Sequence, residues 1–209
     1  DDYQMIRPGD KIAVGVSGGK DSLILLASLA RLSQFYPKKF TVEAFTVDMG
    51  IEGMDLSPIQ SFCDELGVPC HIIPTQINKV IFETRKEKNP CALCAKMRKG
   101  SLHEAILAEG FHKVALGHHY DDAVETFFLS LFYEGRLSCF HPVTYLDRAD
   151  VTQIRPLLYV SENMVKEATK RLELPVVDGM IQVPSRRPDL TGTADIAREI
   201  ERSRNCIRD

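Results

Sequence analysis

The chain has 209 residues, 44% of them hydrophobic and 26% charged, a globular composition that fits one generous domain or two small ones with a core needing no disulfide staples. Lysine and arginine total 26 against 29 acidic residues, so a net charge of −3 excludes bulk basicity as a route to nucleic acid, and any such surface must be local. No apolar run approaches the roughly 20 residues of a membrane span, and Asp1-Asp2-Tyr3 opens neither with Met nor with a signal peptide, so the expectation is a trimmed, cytoplasmic chain with no membrane partner.

Lys11–Val16 is a short β-branched run that stops at a Ser-Gly-Gly turn, which predicts a buried strand. Asp21 is a plausible N-cap region, and Leu23–Leu32 has dense helical apolar spacing. Phe40–Val47 reads as a second strand ending at Asp48. Ser57-Pro58 opens a helix that runs to Leu66 and stops at Gly67. A third strand, Cys70–Ile73, is closed by Pro74. The stretch 78–89 is polar and charge-rich, and Pro90 then leads into a helix reaching about Glu109. Lys113–Leu116 is a fourth strand, halted at Gly117-His118-His119. From Asp121 to Glu134 the apolar residues fall at 123, 124, 127, 128, 131 and 132, an amphipathic stripe whose polar face holds Asp122 and Glu125. Val151–Leu158 contains a short strand interrupted by Pro156, and Ser161 caps a helix to Leu172. Strands alternating with helices predict an α/β, doubly wound parallel sheet with helices on both faces. Ligands then sit beyond the carboxyl ends of the strands, where Ser17–Ser22, Asp48–Gly50 and Gly117–Asp122 lie. Residues 1–177 form the assignable domain; 178–209, with six arginines and little apolar periodicity before Ala194, form a divergent C-terminal segment.

Ser17-Gly18-Gly19-Lys20-Asp21-Ser22 sits between a strand and a helix. Paired glycines let the backbone turn tightly and present N–H groups to an anion, and the helix N-terminus adds its dipole. Ser17 and Ser22 can donate hydroxyls to phosphate, and Lys20 supplies charge. The spacing is not that of a Walker A loop. The string resembles the SGGxDS motif of the PP-loop ATP pyrophosphatases, a HUP-type fold in which ATP is cleaved between its α and β phosphates.

Gly117-His118-His119-Tyr120-Asp121-Asp122-Ala123-Val124-Glu125-Thr126 opens the next helix after a strand. Its acids either complement the helix dipole or form a site for Mg²⁺, ATP or substrate activation. Cys91-Ala92-Leu93-Cys94 straddles one turn at a helix start, which suits a metal or cluster or a reactive thiol pair; Cys63, Cys70 and Cys139 read as buried free thiols. Between Arg85 and Lys99 six basic residues stand against Glu87, a local charge of +5 that is either a solvated face or a surface tracking RNA phosphates. Arg98, four after Cys94, can orient substrate or stabilise developing charge.

The strings CALCAKMRKG, GHHYDDAVET, FFLSLFYEGRL and IRPLLYV, in that chain order within a resemblance running from Tyr3 to Val177, together resemble the tRNA 2-thiocytidine synthetase family. The resemblance implies an ATP-dependent tRNA sulfurtransferase that adenylates the C2 oxygen of an anticodon-loop cytidine (position 32 in the family) and replaces it with sulfur. It implies ATP and Mg²⁺, with Asp21 and Asp122 as candidate supports for the ion. Ser17–Ser22 would hold pyrophosphate, Asp48 would lie near the adenosine, and Gly117 with His118 would admit the adenine. Cys91 and Cys94 would be ligands of a [4Fe-4S] cluster. The partners implied are tRNA, a cysteine desulfurase or other sulfur donor, and a second copy in a homodimer. One departure stands out. The family's third cysteine follows a stretch like Leu174–Val177, but Gly179 stands there and the next cysteine is Cys206. Cys206 substitutes, or the segment has diverged, or the cluster is incomplete. A lysidine-synthetase-like ligase without a cluster, and a nucleotide-binding module without catalysis, are the alternatives.

Overall fold

A computed structural model describes residues 2–85 and 90–177. Six strands form one sheet: β1 (Lys11–Gly15), β2 (Thr41–Asp48), β3 (Cys70–Pro74), β4 (Lys113–Ala115), β5 (Val143–Leu146) and β6 (Val151–Ile154). Their spatial order is β3-β2-β1-β4-β6-β5. All neighbours are parallel except the β5–β6 hairpin, in which Leu146 faces Val151. The expected doubly wound α/β sheet is therefore present, with an antiparallel edge strand that the alternating pattern did not predict. The switch point lies between β1 and β4, because the chain winds outward from β1 through β2 and β3 before crossing to β4.

The helices are α1 (Lys20–Phe35), α2 (Ser57–Leu66), α3 (Ile77–Lys79, running into a π-helical turn at Val80–Arg85), α4 (Pro90–Ala108), α5 (Tyr120–Glu134) and α6 (Glu162–Arg171). On one side of the sheet Ile12 and Val14 of β1 meet Leu23, Leu25, Leu26 and Leu29 of α1 and Val165 of α6. Ala13, Phe45 and Val114 form a second cluster with Ile106 of α4. Burying each of the large aliphatic chains is worth about 1.5–3 kcal/mol, which fixes β1 and α1 as the rigid base of the turn between them. The α2 helix ends as its sequence predicts, at Gly67 in the left-handed conformation.

The α5 stripe behaves differently. Among the described residues only Ser130 of α5 is buried, and Phe128 and Phe132 stack on each other while remaining exposed. The apolar spacing that marked this helix thus does not mark a face of the monomer's core. No described helix is long and apolar enough to cross a membrane.

Candidate active site

A cleft of about 380 Å³ opens at the switch point, within the size range of small-molecule sites. Its walls come from the turn after β1 (Gly15, Ser17, Asp21, Ser22), the end of β2 (Phe45, Val47), the turn after β4 (Gly117, His118, Asp122), α4 and Gln153 of β6. The α4 residues are Ala95, Arg98, Lys99, Leu102 and His103. Their spacing is i, i+3, i+4, i+7, i+8, one face of the helix. That spacing is readable in the sequence, where Arg98 and, within the basic run, Lys99 suggest themselves; His103 and Gln153 are site residues that motif reasoning missed.

The turn after β1 is held from within. The Ser22 hydroxyl donates to the Gly19 carbonyl at 2.9 Å and accepts from the Ser17 N–H at 3.1 Å and the Ser17 hydroxyl at 3.3 Å. Gly18 has φ +76°, a left-handed value that L side chains adopt only with strain, and Gly19 is the N-cap of α1. Ser22 is therefore an organiser of the loop, its proton already committed, rather than the free phosphate donor the sequence suggested. What the loop offers an anion is the start of α1.

Lys20 also departs from expectation. Its ammonium pairs with Asp21 at 3.0 Å and with Glu162 of α6 at 3.4 Å, and it is not among the residues lining the cleft. Burial opposes its charge, but the hydrogen bonds and ion pairs with Asp21 and Glu162 outweigh this and hold its pKa above the ordinary lysine value. Its charge ties α1 to α6. Asp48 is likewise turned to local work: its carboxylate accepts the Gly50 N–H at 2.8 Å and its carbonyl accepts the Thr75 hydroxyl, while its neighbour Val47 lines the cleft.

The turn after β4 is built from charge. Asp122 accepts the His119 N–H at 2.8 Å, capping α5, and lines the cleft. Burial pushes the Asp122 pKa up, and the Asp21 charge adds to that, against the lowering effect of the His119 N–H bond. His119 is buried with Asp21, Asp121 and Asp122 oxygens 3.5–3.7 Å from its ring nitrogens. Asp121 accepts the Glu162 N–H at 2.7 Å, so this acid joins α5 to the first turn of α6. Gly117 explains the closeness of the two turns: a Cβ there would lie 3.0 Å from the Asp21 carbonyl carbon and 3.1 Å from the Ser22 nitrogen. Its missing side chain makes room for backbone of the first turn of α1, a different reason from the adenine contact inferred from sequence.

At the inner wall, His118 packs on Phe140 with ring centroids 5.1 Å apart. Burial, then the positive charge of Arg155, His119 and Lys99, lowers its pKa to about 4. Gln153 donates to the His103 ring at 3.2 Å.

The cysteine pair is only half visible. Cys94 is half-buried on α4, its sulfur 3.7 Å from that of Met49, and Cys91 lies one helical turn earlier, its side chain outside the described residues. Thiols at this spacing on the first turn of a helix fit two ligands of a soft-metal cluster. Among the described residues no group of three or more His, Cys, Asp or Glu could hold a metal ion by itself. Gly179, Cys206 and the rest of 178–209 lie outside the described residues, as do Lys86 and Lys88 of the basic run. Cys139 is half-buried and donates to the Ala123 carbonyl, Cys63 is buried and Cys70 half-buried, all three as free thiols.

The PP-loop domain family matches residues 2–178. A tRNA-cytidine(32) 2-sulfurtransferase of Bdellovibrio bacteriovorus is 38% identical over 176 residues, covering 84% of this chain and 68% of the relative. Its counterpart in Geobacter sulfurreducens is also 38% identical, over 94% of this chain and 74% of the relative. The chain belongs to the tRNA-cytidine(32) 2-sulfurtransferase family, within the PP-loop proteins. It spans between two thirds and three quarters of the length of these two relatives. Among solved structures, the U34-tRNA thiolase NcsA from Methanococcus maripaludis with its [4Fe-4S] cluster superposes with a TM-score of 0.68 at 24% identity, over 98% of this chain and 67% of that one. At that identity the likeness concerns the fold.

Proposed function

We propose that this chain adenylates the C2 oxygen of a tRNA cytidine and exchanges that oxygen for sulfur, giving 2-thiocytidine. The observation that carries the reading is the contact between the two turns at Gly117, which brings the first turn of α1 and the Asp122 carboxylate to one cleft. The cytosine oxygen attacks the α-phosphorus of ATP, and pyrophosphate leaves. The sulfur nucleophile then adds at C2, and AMP departs with the oxygen. The poor leaving group of the first state becomes a good one in the second. Arg98 and Lys99 on the α4 face stand where negative charge gathers on the phosphates. A base reaches such a cleft only when unstacked, which suits a single-stranded loop.

Mg²⁺ would lie on the phosphates, supported by Asp21 and Asp122; two carboxylates plus substrate oxygens fit the way this ion is held. Cys91 and Cys94 would hold a [4Fe-4S] cluster, with the third ligand in 178–209, where Cys206 is the candidate. When bound, the cluster supplies an iron with affinity for sulfide. The 1–177 unit would be the catalytic domain, acting in the cytoplasm with a cysteine desulfurase or another sulfur donor. We extend the reading to a homodimer, for which the exposed Phe128 and Phe132 rings supply an apolar face. The relatives favour thiolation over the amine-ligating reaction of lysidine synthetases, and over a non-catalytic module.

The test is Cys91→Ala in the full chain, purified without oxygen. Loss of 2-thiocytidine with retained ATP binding supports the reading. Full thiolation by the variant overturns the role of the pair, and a colourless wild-type enzyme that forms no 2-thiocytidine but joins an amine to tRNA overturns the reaction.

A further inference from the structure

Arg155 follows β6 and is 7% exposed, and no carboxylate pairs with it among the described residues. An unpaired buried cation is costly, and it persists where its hydrogen bonds hold something in place. One guanidinium nitrogen donates to the His141 carbonyl at 2.6 Å and to the Thr144 hydroxyl at 3.1 Å, tying it to the strand hairpin. The other donates to the Gln153 side-chain oxygen at 3.3 Å. Gln153, itself 2% exposed, passes a hydrogen bond on to the His103 ring. The guanidinium carbon lies over the Phe140 ring, 4.9 Å from its centroid, and the His118 ring packs on that same phenyl group. Two chains of contact therefore leave one cation and end on two imidazoles, and both imidazoles line the cleft.

We propose that Arg155 is a positioning residue of the adenylation cleft, fixing the rings of His103 and His118 at its inner wall from a place where substrate does not reach it. The inference rests on the reading above for the reaction, but not for the geometry. The guanidinium serves both chains at once, its two NH2 groups bonding His141, Thr144 and Gln153 while its carbon lies over Phe140; a lysine, with a single ammonium, cannot span these partners together. The charge has a second consequence. Arg155, Lys99 of α4 and the neighbouring His119 are the charged or titratable groups acting on His118, and after burial Arg155 is the largest of these influences keeping that ring uncharged. The His118 Nδ1 is buried without a hydrogen-bond partner. At neutral pH the uncharged ring adds no further positive charge beside Arg155 and Lys99 at the inner wall.

The experiment uses Arg155→Lys and Arg155→Met in the full chain, with His118 followed by NMR titration and turnover measured with ATP and tRNA. In the wild type the ring should stay neutral through pH 5–7, and in Arg155→Met its midpoint should move up. Both folded variants should lose roughly ten- to a hundredfold in kcat, as displaced site groups do, with the KM for ATP within about threefold because the phosphate cradle is untouched. A purely structural role would lower Tm while leaving the folded enzyme's kcat and the His118 titration unchanged. A wild-type His118 that titrates near its ordinary 6.5, or a folded Arg155→Lys enzyme with the parent's kcat, overturns the proposal. If Arg155→Met does not fold, the wild-type titration and the lysine variant decide. The titration needs no tRNA, so its outcome is independent of whether the assigned reaction is correct.

Discussion

The turns at Ser17–Ser22 and Gly117–Asp122 touch across the cleft, yet they keep their shapes by different means. The first is shaped by a hydrogen-bonded knot of uncharged groups, in which the Ser22 hydroxyl binds backbone on both sides and Gly18 takes a left-handed φ, while its Lys20 and Asp21 pair with each other outside the knot. The second is an electrostatic assembly, with a buried histidine among three carboxylates and two helix caps made by aspartates. The knot should bind phosphate with little dependence on pH, because none of the bonds that shape it involves a titrating group. The charged turn should answer to pH and to the ion that accompanies ATP. On the proposed reading the labour divides: one turn would hold the nucleotide and the other would set the charge around it.

The contrast can be broken most sharply where the turns meet. Gly117→Ala places a methyl group against backbone on the opposite side, with no flexible side chain to yield. We expect a loss of about 1–3 kcal/mol of stability from this overpacking, read by urea titration, and at least roughly a hundredfold loss of AMP formation from the displaced turns. Near-normal activity would show that the contact is dispensable.

The pH difference comes next. A histidine pKa lowered from 6.5 to about 4 means that the unfolded chain binds the proton first. Stability from His118 is therefore present above 6.5 and is lost as pH falls through the window toward 4, by on the order of 3 kcal/mol in total. His118→Asn should flatten the Tm-against-pH curve between those limits, whereas Ser22→Ala should lower Tm without changing its slope.

Gly18→Ala tests the knot alone. A Cβ at φ +76° costs about 1–2 kcal/mol, so Tm should drop at every pH and ATP affinity should fall about tenfold. Smallest is Asp121→Ala, which removes the acceptor for the Glu162 N–H at the start of α6. Its cost should be about 1 kcal/mol, with most of the ATP affinity retained in a binding titration.

The same contrast explains what could be read before any coordinates. The knot is legible because its determinants are local: a β-branched strand, two glycines and a serine within six residues. The α4 wall is nearly as legible, since Ala95, Arg98, Lys99, Leu102 and His103 repeat at helical spacing. The partners of Lys20 and Asp48 were not legible, because residue type states what a group can do and only the fold brings Glu162 to Lys20 and the Gly50 N–H to Asp48. Strand β5 escaped because Val143–Leu146 is a four-residue edge whose partner, β6, supplies its pairing. Gln153 carries no motif, and Arg155 lies in the IRPLLYV string without any role read from it; the meaning of both depends on Phe140, His103 and His118 converging from other elements. The α5 stripe is the converse case: a strong local pattern whose apolar side finds no partner among the described residues.

One assay bears on the whole account. Nucleotide labelled at the α-phosphate, incubated with the full chain and its tRNA, should appear as AMP in step with pyrophosphate release and with the formation of 2-thiocytidine. Label recovered as ADP, or AMP released at the same rate with and without tRNA, would contradict the adenylation of a tRNA base in this cleft.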